Sequence, residues 1–157
     1  MHANAERVAG ALRAAGWDGE IRELDDSART AVDAAAALGG PVGAIVKSLV
    51  FAADGEPVLV LGSGDHRVDT SVVATALGAT AVRQADPATV REATGFPIGG
   101  VAPVGHPRAL PTLIDRHLTT FDTIWAAAGT PHAVFASTFH ELAGLTAATP
   151  CDVAADA

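Results

Sequence analysis

The sequence Gly43-Ala-Ile-Val-Lys-Ser-Leu-Val-Phe-Ala-Ala-Asp-Gly-Glu-Pro-Val-Leu-Val-Leu61 contains two apolar runs on either side of an Asp-Gly pair. Each run is short and almost continuously apolar, which is typical of a strand. Asp-Gly favours the tight turns that join two antiparallel strands. The stretch therefore predicts a β-hairpin, with strands at 45–52 and 57–61.

Glycine, proline and capping residues divide the rest of the chain into alternating short helices and strands. Residues that can cap the start of a helix are Asn4, Asp69, Asp86 and Thr138, and Thr30 leads into an alanine-rich helix. Further strands are expected at 20–24, 79–83, 110–115, 123–128 and 133–136. Together with the hairpin, this alternation predicts an α/β fold: a single compact domain over residues 1–157, with a mixed, mostly antiparallel sheet and surrounding helices.

Lys47 is the only lysine of the chain, and it lies in the first strand of the predicted hairpin. The nine other basic residues are arginines, so a lysine that is retained indicates a task that needs a compact ammonium. Strand periodicity places it on one face with Ile45, Leu49 and Phe51. Because lysine is rarely buried without a partner, its ammonium either extends past the strand to solvent or meets a negative group in a cleft.

Composition and charge narrow the class of protein. The chain is 49% apolar, which predicts a globular protein, and no apolar run is long enough to form a transmembrane helix. The first residues do not resemble a secretory signal, so we expect a cytoplasmic protein. A net charge of −8 argues against coating nucleic acid through charge alone, but not against recognising a nucleic-acid end in a pocket. Cys151 is the only cysteine, which excludes an intramolecular disulfide, and we expect it to be inert in a mobile end.

Glycine and proline alternate with apolar residues in Phe96-Pro-Ile-Gly-Gly-Val-Ala-Pro-Val-Gly-His-Pro107. Gly99 and Gly100 let a ligand approach the main chain closely. The loop either binds an anion or carbonyl through its N–H groups or is a tight structural crossover. The sequence contains no serine elbow, activated cysteine or phosphate-binding glycine motif, and the histidines show no familiar metal-ligand spacing. His106 and His132 follow turns and are the better histidine candidates for a cleft.

Three features occur in order along the chain: Val46-Lys-Ser-Leu49 in a strand, Val68-Asp69 before a helix, and Thr94-Gly-Phe-Pro-Ile-Gly-Gly-Val-Ala-Pro-Val-Gly105. This order closely resembles the YbaK/EbsC family, which is related to the editing domain inserted in bacterial prolyl-tRNA synthetase and includes free-standing aminoacyl-tRNA deacylases. The resemblance extends from about Thr30 to Leu145. Its most specific element is Gly99-Gly-Val-Ala-Pro103.

The resemblance implies a trans-editing deacylase that hydrolyses the ester of a tRNA, such as tRNA-Pro or a related tRNA, carrying a small wrong amino acid. It places Lys47, Gly99 and Gly100 at the catalytic site. The candidate substrate contacts are Thr30, Ile98, Val101, Pro103, His106, His132 and Ser137. No protein nucleophile, metal or cofactor is implied, and loop N–H groups polarise the ester carbonyl. Residues 128–137 depart from both the cysteine-specific and the alanine-specific patterns of the family, which leaves the amino acid open.

Two other functions stay open at the level of sequence. One is a non-catalytic module that binds an aminoacyl group or a peptide in the same cleft. The other is a metal-dependent hydrolase that uses His66, His106 and His132. For the deacylase, the expected partners are the 3′ end of a mischarged tRNA and a synthetase that aids tRNA binding; no membrane or DNA partner is expected.

Overall fold

The computed structural model describes residues 2–25 and 30–154. The helices are α1 (Ala3–Ala14), α2 (Ala31–Leu38), α3 (Thr70–Leu77), α4 (Pro87–Thr94) and α5 (Phe139–Thr146), with 3-10 helices at Val42–Ala44 and Arg116–Thr120. The strands are β1 (Ile21–Glu23), β2 (Val46–Ala53), β3 (Glu56–Ser63), β4 (Val82–Gln84), β5 (Thr112–Asp115), β6 (Ile124–Ala127), β7 (Ala133–Ser137) and β8 (Thr149–Cys151). None of the helices in the two described segments has the length and apolar character that crossing a membrane requires.

The β2–β3 hairpin forms as predicted and organises the larger sheet. The two strands pair antiparallel over all eight residues of each. Asp54 and Gly55 make the turn with φ values of 49° and 87°, which is the conformation that an Asp-Gly pair favours. β3 also pairs in parallel with β5, so the sheet has the order β4-β2-β3-β5-β8 and contains both kinds of pairing.

The remaining strands form a second, antiparallel sheet in the order β1-β7-β6, where the sequence predicted a single sheet. An isolated bridge between Ile45 and Trp125 connects the segment before β2 to β6. The main core cluster contains side chains from both sheets, from α1 and from the glycine–proline loop, among them the fully buried Leu12, Phe96 and Phe135. Burying a large apolar side chain contributes roughly 1.5–3 kcal/mol, so this shared core holds the two sheets together. The predicted α/β class with mixed pairing is confirmed.

Side-chain caps set the helix starts. Three predicted caps accept a hydrogen bond from a backbone N–H of the first turn: Asp69, Asp86 and Thr138. Thr30 caps α2 in the same way. The prediction for α1 is wrong by two residues, because the ring of His2 caps this helix. Its Nδ1 accepts from the N–H of Asn4 at 3.0 Å. His2 is therefore tied to the first helix.

The C-terminal segment contains a strand that the sequence analysis missed. β8 pairs in parallel with β5, with Cys151 opposite Asp115. Pro150 inside this strand argues against a strand by composition, but proline is tolerated at the edge of a sheet, where β8 lies. The expectation of a mobile end at Cys151 is wrong. Burial raises the pKa of its thiol, which keeps the sulfur protonated at neutral pH.

Candidate active site

The first half of β2 has an open edge. β3 covers one side of the strand, whereas β4 pairs on the other side only with residues 51–53. A cavity of about 320 Å³ lies along the uncovered part and is lined by residues 45–50. Lys47 and Ser48 alternate along the strand, yet both line the cavity, because it borders the strand edge rather than one face.

The strand faces follow the predicted periodicity in part. Leu49 and Phe51 pack in the apolar cluster that contains Val73 of α3. Ile45 was expected on the same face, but it lies just before the strand and packs against α2 in another cluster. Ile45 therefore does not share the strand face of Leu49 and Phe51.

The walls of the cavity are mostly apolar. They come from β2, α2, the glycine–proline loop and the second sheet, and include Ile45, Val50, Ile98, Val101, Trp125 and Val134. The polar side chains are those of Thr30, Lys47, Ser48 and Gln84. Among the described lining residues there is no Asp, Glu, His or Cys. The described part of the cavity wall thus offers hydrogen-bonding groups and the ammonium of Lys47, but no carboxylate or imidazole base and no thiol nucleophile.

Lys47 is half-buried, and a loop carbonyl holds its ammonium. Nζ donates to the backbone oxygen of His66 at 2.7 Å. Burial lowers the pKa of the Lys47 ammonium, and the carboxylates of Asp65 and Asp115 offset part of this effect. The sequence allowed the ammonium either to reach solvent or to meet a negative group in a cleft. In the structure it is hydrogen-bonded to the protein and lies near the carboxylates of Asp65 and Asp115. One of its three donor hydrogens is used by His66, which leaves donor capacity for a ligand.

Ser48 carries a buried polar atom that lacks a partner. Its Oγ is shielded from solvent and has no hydrogen bond to any part of the chain that the structure describes. A buried hydroxyl in this state costs about 1–3 kcal/mol. Ser48 lines the cavity, but its hydroxyl is not exposed there, so the side chain must rotate before a bound ligand can supply the missing partner. Sequence patterns cannot reveal this property, since it depends on the surroundings of the side chain in the fold.

The two central glycines of the loop have different surroundings. Gly99 has φ of 88°, a conformation that other residues rarely adopt, and its main chain borders the cavity. A Cβ on Gly100 would lie 3.0 Å from Cα of Thr130 and 3.3 Å from O of Gly129. The N–H of Gly100 donates to the oxygen of Pro97 at 3.0 Å. The close neighbour of Gly100 is thus the protein's own backbone, and Gly100 is not among the residues that line the cavity, so its predicted role at the site stays a prediction.

Three of the other predicted substrate contacts line the cavity, namely Thr30, Ile98 and Val101. The rest lie outside its lining. Pro103 is buried within the loop. His132 lies in the turn before β7, and its carbonyl oxygen accepts from the N–H of Leu24 at 2.6 Å.

His106 and Ser137 are engaged elsewhere in the fold. Nε2 of His106 donates to the carbonyl of Ala102 at 2.7 Å, and burial lowers the pKa of its imidazole. Ser137 is 5% exposed and lies 2.8 Å, Oγ to Oε1, from Glu141. Both side chains therefore stabilise the framework around the cavity. Half of the predicted site residues therefore line the cavity, namely Thr30, Lys47, Ile98, Gly99 and Val101. The other half lie outside its lining.

The histidines do not gather as the metal-hydrolase alternative requires. In the described part of the chain, one group of three potential metal ligands is close enough to share an ion: Asp65, His66 and His117. It contains neither His106 nor His132. The predicted trio of histidines is thus not assembled.

Residues 25–145 match the family described as the aminoacyl-tRNA editing domain. The chain belongs to this family. The crystal structure of a proposed trans-editing enzyme for prolyl tRNA synthetase is 45% identical, with a TM-score of 0.94 over 98% of each chain. The predicted family resemblance is therefore confirmed. All the residues found to line the open-edge cavity lie within the matched range.

Two curated relatives complete the comparison. The uncharacterised protein YwhH of Bacillus subtilis (strain 168) is 32% identical over 126 residues, which is 80% of either chain. A proline–tRNA ligase of Nitratidesulfovibrio vulgaris is 41% identical over 78 residues, which is 50% of this chain but 14% of the ligase. The similarity to the ligase is thus confined to a small part of that enzyme's length.

Proposed function

We propose that this protein is a trans-editing aminoacyl-tRNA deacylase. It hydrolyses the ester that joins a small, wrongly attached amino acid to tRNA-Pro or a related tRNA, and residues 1–157 act as one editing domain. The observation that carries this proposal is the cavity, which is mostly apolar and is lined by Lys47, by the main chain at Gly99 and by Ser48, whose buried hydroxyl lacks a partner. Membership of the editing-domain family supports the reaction class.

We assign the attack on the ester to water. The described lining residues include no thiol, and no carboxylate or imidazole that could activate the hydroxyl of Ser48 or Thr30 as a nucleophile. The water oxygen bonds to the carbonyl carbon of the ester, the bond from that carbon to the ribose oxygen breaks, and a proton of the water passes to the ribose oxygen. The products are a free amino acid and a tRNA with a free 3′ end.

In this proposal, Lys47 and the Gly99 main chain stabilise the charge that develops in the reaction. Negative charge develops on the carbonyl oxygen as water attacks, and preorganised donors in a water-poor site stabilise it strongly. Losing one such donor in a hydrolase costs about 2.7–4 kcal/mol, or roughly 10²–10³ in turnover. A guanidinium is wider than an ammonium and hydrogen-bonds as a planar fork, so arginine is not an adequate replacement for Lys47.

The amino acid that fits this cavity is small and uncharged. The walls are apolar apart from four polar side chains, and an unpaired charge in such surroundings is costly. The hydroxyl of Ser48 provides a hydrogen bond to a polar group of the substrate. Since the net charge of −8 weakens contacts with phosphates, a synthetase partner supplies tRNA affinity in the cytoplasm, where tRNAs are charged.

The experiment is a deacylation screen with tRNA-Pro and related tRNAs charged with glycine, alanine, serine, cysteine or threonine. We expect hydrolysis of at least one mischarged species and none of prolyl-tRNA-Pro. Lys47→Ala and Lys47→Arg should each lower kcat/KM at least about 100-fold while the thermal unfolding profile stays cooperative. Arg13→Ala is the matched control, because it removes an exposed cation of α1.

The outcomes separate the three functions that the sequence left open. Binding of mischarged tRNA without hydrolysis identifies a non-catalytic module and contradicts the proposal. Activity that is lost in excess chelator and restored by zinc contradicts a reaction without metal. Near-normal turnover by the Lys47→Ala variant removes Lys47 from the mechanism.

A further inference from the structure

A second group of chemically reactive side chains lies outside the cavity that we assign to the ester, which is called the ester cavity below. Asp65 and His66 follow β3, and His117 belongs to the 3-10 helix that follows β5. Because β3 and β5 are paired in parallel, the segments that follow them emerge at the same end of the sheet. The rings of His66 and His117 stack with centroids 3.9 Å apart and planes inclined by 15°. None of the three residues lines the ester cavity.

The donor atoms of this group have the spacing of a metal site. Nε2 of His117 lies 3.1 Å from Oδ1 of Asp65, and one ligand atom from each of the three residues lies within 4.8 Å of the others. Tetrahedral zinc with bonds of about 2.0–2.1 Å keeps its ligand atoms roughly 3.3 Å apart. A small rotation of the side chains therefore brings the three atoms to coordination distance.

Neighbouring groups hold two of the three side chains in a ligating orientation. Oδ2 of Asp115, whose side chain is 2% exposed, lies 3.0 Å from Nδ1 of His66. This contact keeps the ring proton on Nδ1 and leaves the lone pair of Nε2 for a metal, which is the usual carboxylate–histidine–metal arrangement. Oγ of Ser63 lies 2.8 Å from Oδ1 of Asp65 and orients that carboxylate.

We propose that Asp65, His66 and His117 form a binding site for a divalent transition metal of the zinc type. Two imidazoles and one carboxylate favour zinc and its neighbours over magnesium or calcium, which prefer oxygen ligands. The side chains of Asp65, His66 and His117 are 38%, 15% and 28% exposed, so solvent reaches the group and water completes the coordination. The site lies outside the ester cavity, and metal binding there is a further property, separate from the deacylation proposed above.

A metal at this position links two segments that are far apart in sequence. His117 is 52 residues from Asp65, so the ion cross-links the loop after β3 to the 3-10 helix. The same loop supplies the His66 carbonyl that holds the Lys47 ammonium. Metal binding is therefore expected to stabilise the folded protein, and it is not required for the deacylation proposed above.

The test is a calorimetric titration of the full chain, first cleared of metal, with ZnCl₂ alone. We expect one zinc per chain and a melting temperature that rises with zinc concentration, as for any ligand of the folded state. His117→Ala should abolish both effects. His140→Ala is the matched control, because it removes an exposed histidine of α5 and should leave both effects unchanged.

Two further variants keep the proposal testable if His117→Ala does not fold. Asp65→Asn retains the shape of the side chain and should also abolish binding. Asp115→Asn leaves all three ligands in place and should weaken zinc affinity about 10- to 100-fold. Absence of binding by the wild type, or equal binding by the wild type, His117→Ala and Asp65→Asn, overturns the proposal. Deacylation measured on the same metal-free protein tests the proposed function independently.

Discussion

Ser48→Ala is expected to change stability and turnover in opposite directions. The hydroxyl is buried without a partner in the free protein, so its removal relieves a penalty of about 1–3 kcal/mol. A small loss of strand propensity and of packing reduces the net gain to about 1 kcal/mol. For a chain of this length, that gain raises the melting temperature by about 2–4 °C. If the substrate supplies the partner of this hydroxyl, kcat/KM falls roughly 2- to 12-fold.

The assay compares thermal unfolding of the free protein with deacylation kinetics for Ser48→Ala and Ser137→Ala. Ser137 is a matched control, because it is also buried but its hydroxyl is 2.8 Å from a carboxylate oxygen of Glu141. Ser137→Ala should lower the melting temperature and leave kcat/KM unchanged. If Ser48→Ala also lowers the melting temperature, the hydroxyl has a partner within the protein. If kcat/KM does not change, the hydroxyl does not contact the substrate.

Two further predictions concern residues outside the cavity lining. Gly100→Ala should destabilise the protein by about 1–3 kcal/mol, because the added methyl group meets the Thr130 backbone at 3.0 Å. Urea unfolding measures this loss, and unchanged stability would show that the loop moves freely. Asp54→Asn should be less stable at neutral pH, because hydrogen bonds from the N–H groups of Thr80 and Ala81 hold the pKa of the Asp54 carboxyl below its ordinary value. This stabilisation is present above about pH 4 and is lost as pH falls through the lowered pKa of Asp54. The melting temperatures of the wild type and of Asp54→Asn should therefore converge in acid, and a difference that stays constant with pH would contradict this role of the Asp54 carboxylate.

The sequence was sufficient to predict those elements that depend on only a few adjacent residues. The Asp54-Gly55 turn, three helix caps and the short strands follow from a few adjacent residues, and all of them form, although β4 begins at Val82 where the sequence predicted a strand over 79–83. The unique Lys47 and the glycine–proline loop were sufficient to indicate the family. Elements that depend on distant neighbours were missed. β8 is a strand only because β5 offers it an edge, and His2 caps α1 although its ring is not a common cap.

What the sequence determined by itself is therefore the order of the elements, the α/β class, the editing family and the position of Lys47 in a strand. The tertiary structure decided which predicted residues share the cavity. Gly99 borders it while Gly100 packs on the Thr130 backbone, because the turn directs consecutive residues to opposite sides. The unpartnered Ser48 hydroxyl and the grouping of Asp65 with His117 likewise exist only after folding, since hydrogen-bond satisfaction and ligand spacing depend on contacts between segments that chain order does not specify.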